Sequence, residues 1–522
     1  MQSTGLQIKS YIRTPILLLL FFTSLGIAGL NLSVPYHKII DWDTAFWVGM
    51  TRAGFSTCCL HPLQDNLWWV YGEVAEMTGE PLVALQLFFF VFIVLGSVLY
   101  GLLFQIFFRR AALSLLAAMT YPLFPVIQNL SAYYEDNLFK IPFLMATLVF
   151  IFHRRGSEWT IYVAIALFSY TCLLAMDALL WGPIVTALIL WRIFKEHDRP
   201  INENLLFVTK SALFGVAMFW GLSTFHDWIS ERPFGSGLKE YLGALINPTG
   251  GGIKNFSANP FSVDRYISYP LEQIEPLFGL LQVFDGESLT NSKSWRDLNG
   301  PLRAFTEKRH FWIFLVAVFH LVNTGILLYS LIKMWCARST SGLLFVSIVL
   351  CGYVSFFLFN YIYIDVPDER YDHYLLMLPL ILLAMDGGNI KRACHVKQNE
   401  RALAHTASYG FLYIFIFLGI LHFIFAPYKS SNLYRFSSEN KQKFEEYYFS
   451  IEEISTTGLA EELYLAGYAP LKIVNTDARE ESIFSPLHME RRTSDELKRY
   501  WMEQHKRIFL SPRMISYLDG NQ

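Results

Sequence analysis

The sequence predicts an all-α polytopic membrane protein with about eleven transmembrane helices, and three observations carry that prediction. The 522-residue chain is 53% hydrophobic and only 16% charged, where soluble domains carry about 25% charged residues. Its mean hydropathy is positive, at +0.33. Apolar runs recur along the chain near the roughly 20-residue length that a bilayer core demands of a helix.

Taken in order, the runs are 15–34, 81–108, 111–130, 138–152, 159–176, 178–194, 205–225, 311–332, 342–362, 374–386 and 409–427. The first is bounded by Pro15 and Pro35. Arg109 and Arg110 separate the second from the third, and "YYEDN" joins the third to the fourth. The runs 138–152 and 374–386 are short and extend into polar flanks if they span. The pair 159–176 and 178–194 is divided only by Asp177, which marks either an outer turn or a charge buried between helices. Ionisable groups within spans are rare and tend to be functional, which also singles out Lys140; within a turn of the interface, it can also reach water.

Basic residues set the orientation, because cytoplasmic loops are enriched in Lys and Arg. Lys9 with Arg13, Arg109–Arg110, Arg154–Arg155, Arg192 with Lys195, Lys333 with Arg338, and Lys391–Arg392 fall at alternate ends of the runs. That pattern puts the N-terminus inside. The first run is read as an uncleaved anchor rather than a signal peptide. Outside lie the loop 35–80, the turn near 131–137, the long loop 226–310 and the tail 428–522.

Two domains follow: a transmembrane domain over 1–427, and an extracytoplasmic domain over 428–522. The tail is polar and of mixed charge. Thr493-Ser-Asp-Glu496 has the capping-box pattern, and predicts a helix through about residue 507. "NPTGGGIKNF" (247–256) in the long loop has no following GK[ST] and no preceding strand, so it is not a phosphate-binding loop of the Walker or Rossmann kind. The net charge of −2 gives no reason to expect nucleic acid. The six cysteines have neither zinc-ligand spacing nor a disulfide framework.

Polar residues with chemistry gather on the predicted outer side. Asp41 and Asp43 in "DWDTAFW" follow the first run, and His61 lies in "CLHPLQDNLWW". Glu135 and Asp136 sit in "YYEDN", and Arg370 and Tyr371 in "PDERYDHY". Carboxylates there can take a proton from an attacking hydroxyl or amine. An arginine beside them can hold a phosphate by forked hydrogen bonds. Taken singly, each has a plainer reading, as a solvated loop charge, a turn residue before Pro62, or an arginine that snorkels from a helix end.

The order of these segments resembles the GT-C glycosyltransferases of the protein O-mannosyltransferase and aminoarabinose-transferase kind. "DTAFW", then "HPLQDNLWWVYGEVAEMTGEPLVALQL", then "FFRRAALSLLAAMTYPLFP", then "NLSAYYEDNLFKIPFLMATL" resemble that family's first-loop acidic motif, His-Pro step, small helix and second acidic residue. "DERYDHYLLMLPLILLA" is similar to its late Arg-Tyr element before a Pro-containing helix. The resemblance covers residues 1–152 and, more weakly, 365–385. It implies Asp43 as catalytic base with Asp41 beside it, Asp136 with Glu135 as the second acid, and His61, Arg370, Tyr371 and Lys140 in substrate binding. The sequence departs from the pattern at Thr44, where the family often has Glu, and at Leu63, where it has a second Pro.

The function the resemblance implies is a glycosyltransferase of hexosyl- or pentosyltransferase type. It would move a sugar from a polyprenyl-phosphate donor to an extracytoplasmic acceptor, whether glycan, lipid or protein, in cell-envelope glycan biosynthesis. The partners are then the lipid-linked donor, the acceptor and the bilayer. Some members of the family use a divalent metal and others do not, and no residue pattern here selects between them. A bacterial inner membrane is favoured over the endoplasmic reticulum. The rivals are an O-antigen polymerase or ligase, which would draw on the long-loop arginines 232, 265, 296, 303 and 309, and a transporter, which would need mid-span polar residues and paired repeats.

Overall fold

The computed structural model describes residues 14–32, 64–78, 81–132, 136–153, 158–196, 200–229, 234–235, 238–239, 242, 309–363, 374–386 and 398–425. It also describes the residue pairs 453–454, 472–473 and 508–509. Every apolar run of the sequence has a helix at it. The helices are α1 (Thr14–Leu32), α2 (Gln64–Thr78), α3 (Pro81–Phe108), α4 (Ala111–Leu123), α5 (Pro125–Ala132), α6 (Lys140–Phe152) and α7 (Glu158–Leu174). They continue with α8 (Gly182–Glu196), α9 (Ile201–Ile229), α10 (Arg309–Cys336), α11 (Thr340–Tyr363), α12 (Tyr374–Ala384) and α13 (Gln398–Phe425). Two 3-10 turns, Asp136–Phe139 and Met176–Trp181, precede α6 and α8.

Several expectations are corrected. The run 111–130 is not one helix: the chain breaks at Phe124, because Pro125 has no N–H to continue the ladder. Asp177 lies in the 3-10 turn between α7 and α8, which supports two helices there and not one. The described fold is helical apart from three residue pairs in the tail. Strands β1 (Glu453–Ile454), β2 (Lys472–Ile473) and β3 (Ile508–Phe509) pair in parallel in the order β2-β1-β3. The helix expected from Thr493 lies outside the described residues.

Close approach of α1, α3 and α4 is made by small residues. Ser97 and Gly101, one turn apart on α3, face both neighbours, an arrangement that lets helix backbones meet. Ser97 Oγ donates to Ala118 O at 2.5 Å and contacts Ser24 Oγ at 2.8 Å, while Ser114 Oγ donates to Gly101 O at 2.6 Å. A Cβ on Gly101 would stand 2.7 Å from a Leu20 methyl. The Tyr121 ring lies directly over Gly96. At the Pro125 break, Gln128 Nε2 donates to Leu123 O at 3.0 Å and to Gly419 O at 2.8 Å, so one amide ties α4 to α13.

The helices alternate in direction, and the contacts at one end show it. Arg192, near the end of α8, is 2% exposed. Its guanidinium donates to Phe150 O at 2.6 Å and Ile151 O at 2.7 Å in the last turn of α6, and to Thr160 Oγ1 at 2.8 Å in the first turn of α7. Arg192, one of the cations that mark the expected cytoplasmic ends, is an interior cap on helix-end carbonyls. Trp191 Nε1 donates to Ser341 O at the start of α11, and Lys333 Nζ donates to Met385 O just past α12. Phe107 of α3 meets Phe152, and Phe108 meets His405 of α13. The described basic turns, at Arg109, Arg192 and Arg338, therefore share one end of the bundle.

Two tight turns at that end use an unusual conformation. Arg109 and Arg338 have φ of 54° and 50°, the left-handed region that favours glycine. At the second, Ser339 N–H donates to Met334 O and Arg338 N–H to Trp335 O, the paired closure of a Schellman motif with arginine in the glycine position.

Burial differs sharply between helices. Leu375 to Ala384 of α12, and Met385 just after it, are all buried, and α12 is enclosed by α10, α11, α13 and α3. Two described segments are long and apolar enough to cross a membrane, Ala84–Phe108 and Ile201–Trp228; the remaining apolar helices run 10–17 residues over their described parts. In the second segment only 11% of the most apolar window is buried.

Candidate functional site

The described part of the candidate site is the turn that opens α6. In "EDNLFK", Leu138 and Phe139 are 0% exposed, and Phe139 inserts among three phenylalanines within about one turn of each other in the first half of α3. Ring centroids lie 5.2 Å from Phe88, 5.0 Å from Phe89 and 4.6 Å from Phe92. Tilted and edge-on pairs at these spacings each add about 0.5–1.5 kcal/mol beyond area burial. The cluster pins the turn that starts at Asp136, at the end of the bundle opposite the basic turns.

The same cluster receives the first-loop helix. Tyr71 of α2 is 0% exposed and meets Phe88 at 6.2 Å, edge to face. Since Phe88 also meets Phe139, α2 and the Asp136 turn lean on one aromatic ring. His61 stands three residues before the first residue of α2 in the sequence, and Arg370 four residues before the first of α12.

Lys140 is the site candidate whose side chain is described. It is the first residue of α6, and only 2% exposed. The expectation that it reaches water is corrected: protein covers it, because the Phe139 anchor draws the start of α6 into the bundle. Asp136 has its backbone in the 3-10 turn. Asp41, Asp43, His61, Glu135, Arg370 and Tyr371 lie outside the described residues.

Further polar residues were not singled out by the sequence. Ser223, His226 and Asp227, at the end of α9, are 0%, 0% and 1% exposed. The apolar run ends at residue 225, so the expected outer loop takes in His226 and Asp227, whereas the helix continues to Ile229. The available signal was their i, i+3 and i+4 spacing on an otherwise apolar helix. Among the described residues no three His, Cys, Asp or Glu side chains gather as metal ligands.

No protein-family model matches the chain, and no curated protein matches it. Among solved structures, it is similar to the archaeal oligosaccharyltransferase AglB from Archaeoglobus fulgidus, in complex with an inhibitory peptide and a dolichol-phosphate. The identity is 13% and the TM-score 0.41, over 88% of this chain and 64% of that one. This chain thus spans under two thirds of the length of that structure.

Proposed function

We propose that the protein is an integral membrane glycosyltransferase that moves a sugar from a polyprenyl-phosphate donor to an extracytoplasmic acceptor. The observation that carries the reading is the shared aromatic cluster at the non-basic end of the bundle. It ties the helix that follows the first acidic loop to the turn that starts at Asp136. The alternation of helix direction adds that the chain enters α12, just after Arg370 and Tyr371, from that same end. The exposed apolar surface of α9 suits hydrocarbon and not water.

In the proposed reaction, Asp43, supported by Asp41, takes the proton of an acceptor hydroxyl as its oxygen attacks the anomeric carbon. The bond from that carbon to the phosphate oxygen breaks on the opposite face, and the lipid phosphate leaves with the electron pair. The leaving group is already anionic, so it needs a cation and not an acid. Arg370 supplies the fork for it, while Asp136 and Glu135 orient the acceptor.

The test is transfer of radiolabelled sugar from lipid-linked donors in membranes, together with mass analysis of lipid-linked and surface glycans with and without the protein. Asp43→Asn is expected to insert normally and to lose about 10²–10⁴-fold in transfer rate, the usual effect of removing a general base. Wild-type turnover in Asp43→Asn removes that residue from the mechanism. Arg370→Lys is expected to keep partial activity and Arg370→Ala very little, because lysine preserves the charge but not the two-pronged geometry.

A further inference from the structure

The chain that leaves α9 turns back along it. Tyr162, in the second turn of α7, meets Phe207 and Phe214 of α9. Since α7 begins beside Arg192, α9 starts at the basic end and Ile229 closes it at the opposite one. Just past that end, Gly235 N–H donates to Asp227 Oδ2 at 2.7 Å. The Phe234 ring meets Trp220 edge to face at 6.0 Å, and Trp220 lies two turns before Asp227 on the same helix face. Gly235 has φ +81°, a conformation that side chains rarely adopt, so glycine is what admits the turn.

Elementary dimensions set the depth of that contact. The 29 residues of α9 make a helix of about 43 Å, against a hydrocarbon core of about 30 Å. Centred on that core, α9 puts Asp227 about 18 Å from the midplane, at headgroup level, and Trp220 only about 7 Å from it. Phe234 therefore points from its anchored backbone down into the acyl region. It is 70% exposed, and Trp228 is 74% exposed. Phe225 pairs with Trp228 at 5.8 Å. Below these rings, Leu213 and Val216 carry the same exposed apolar surface along α9. Beyond the turn, Lys239 N–H donates to Gly235 O at 3.1 Å, closing one helical turn. Leu238 is half-buried there and Lys239 is exposed.

We propose that the turn at Phe234 and Gly235 is a membrane-seated anchor whose partner is phospholipid of the leaflet at the non-basic end. Phe234 stands among acyl chains beside Trp220, and the flexible stem of Lys239 lets its ammonium group reach the lipid phosphates. Three observations select lipid over a second protein. The exposed rings continue the apolar face of a helix long enough to span. Tryptophan at the end of a span is the side chain that favours the water–lipid boundary. The turn's backbone is also satisfied from within, Gly235 N–H by Asp227 and Gly235 O by Lys239 N–H, as a layer poor in hydrogen-bond partners requires. The anchor holds the start of the segment after α9 against the bilayer. It rests on the membrane-spanning reading of α9 and not on the transfer reaction.

The experiment places the photoreactive p-benzoylphenylalanine at position 234 of the full-length protein, in nanodiscs of phosphatidylcholine and phosphatidylglycerol. After irradiation, mass spectrometry should find phospholipid joined through its acyl carbons, in yield comparable with the same residue at position 216. A second arm adds trypsin to the nanodiscs and follows the cut after Lys239. The wild type should be protected there. Phe234→Asp puts a charge at acyl depth, and should speed that cut at least about ten-fold, because cleavage tracks the opened population. Phe234→Leu, still apolar, should stay protected. The cross-linking arm carries the test if Phe234→Asp does not fold. Capture of a second copy of the chain in place of lipid, no adduct at position 234, or a wild type cut as fast as Phe234→Asp would each overturn the assignment. None of these outcomes is read through sugar transfer, so they stand or fall apart from the proposed reaction.

Discussion

Arg192 is the residue whose structural role departs furthest from its sequence appearance. At a predicted cytoplasmic end it reads as one more topogenic cation, yet it is buried and donates to two carbonyls and a threonine across three helices. Arg192→Ala leaves the Phe150 and Ile151 carbonyls without that donor, and is expected to destabilise the protein by about 2–4 kcal/mol, measured by denaturant or thermal unfolding. Arg338→Gly is expected to act in the other direction. Relieving a left-handed arginine, at about 1–2 kcal/mol, outweighs the added chain entropy of glycine, so Tm should rise. Neither role was legible in the sequence. A burial partner contributed by a distant helix leaves no local mark, and left-handed turns usually announce themselves through glycine.

At the scale of elements, the hydrophobic runs were legible because a long apolar segment has few alternatives to a helix. Boundaries were less so. Pro125 was visible in the sequence, but the two short helices it separates are held by Gln128 and by the contact with Gly419, which only the packed bundle reveals. That contact yields a prediction. A Cβ on Gly419 would overlap the backbone of Leu123, a neighbour that cannot swing aside. Gly419→Ala should therefore cost about 1–3 kcal/mol as overpacking, whereas Gly410→Ala, whose added carbon meets nothing within 4 Å, should be neutral or mildly stabilising. The strands of the tail had no signal in the sequence at all, since two-residue pairings carry no periodicity.

For the whole molecule, the sequence supplied an orientation and the structure a shared end for the basic turns. Both lead to one labelling experiment. Cys336, exposed at the end of α10 beside the Arg338 turn, should resist a membrane-impermeant maleimide in intact cells and react in inverted vesicles. A cysteine placed at Gly520 in the tail should behave in the opposite way. The reverse pattern would invert the protein and move the proposed reaction to the other side of the membrane. The candidate site was only partly legible at this scale. Acidic loop motifs can be read as chemistry, but that α2 and the Asp136 turn share one phenylalanine is a fact of packing between segments more than sixty residues apart.

The enclosure of α12 has a consequence for how the chain tolerates change. A helix with one lipid-facing side accepts substitutions in a rhythm of about 3.6 residues, because every third or fourth position is free to vary. In a saturation scan α9 should show that rhythm, with Leu213, Val216 and Trp220 permitting most apolar replacements. From Leu375 to Met385 no side is open, so the rhythm should vanish there and leave an unbroken run of intolerance. Variation within this short helix is then confined to changes made jointly with its neighbours. Homologues should differ there in matched sets, drawn from α12 and the helices around it, and seldom at a single position.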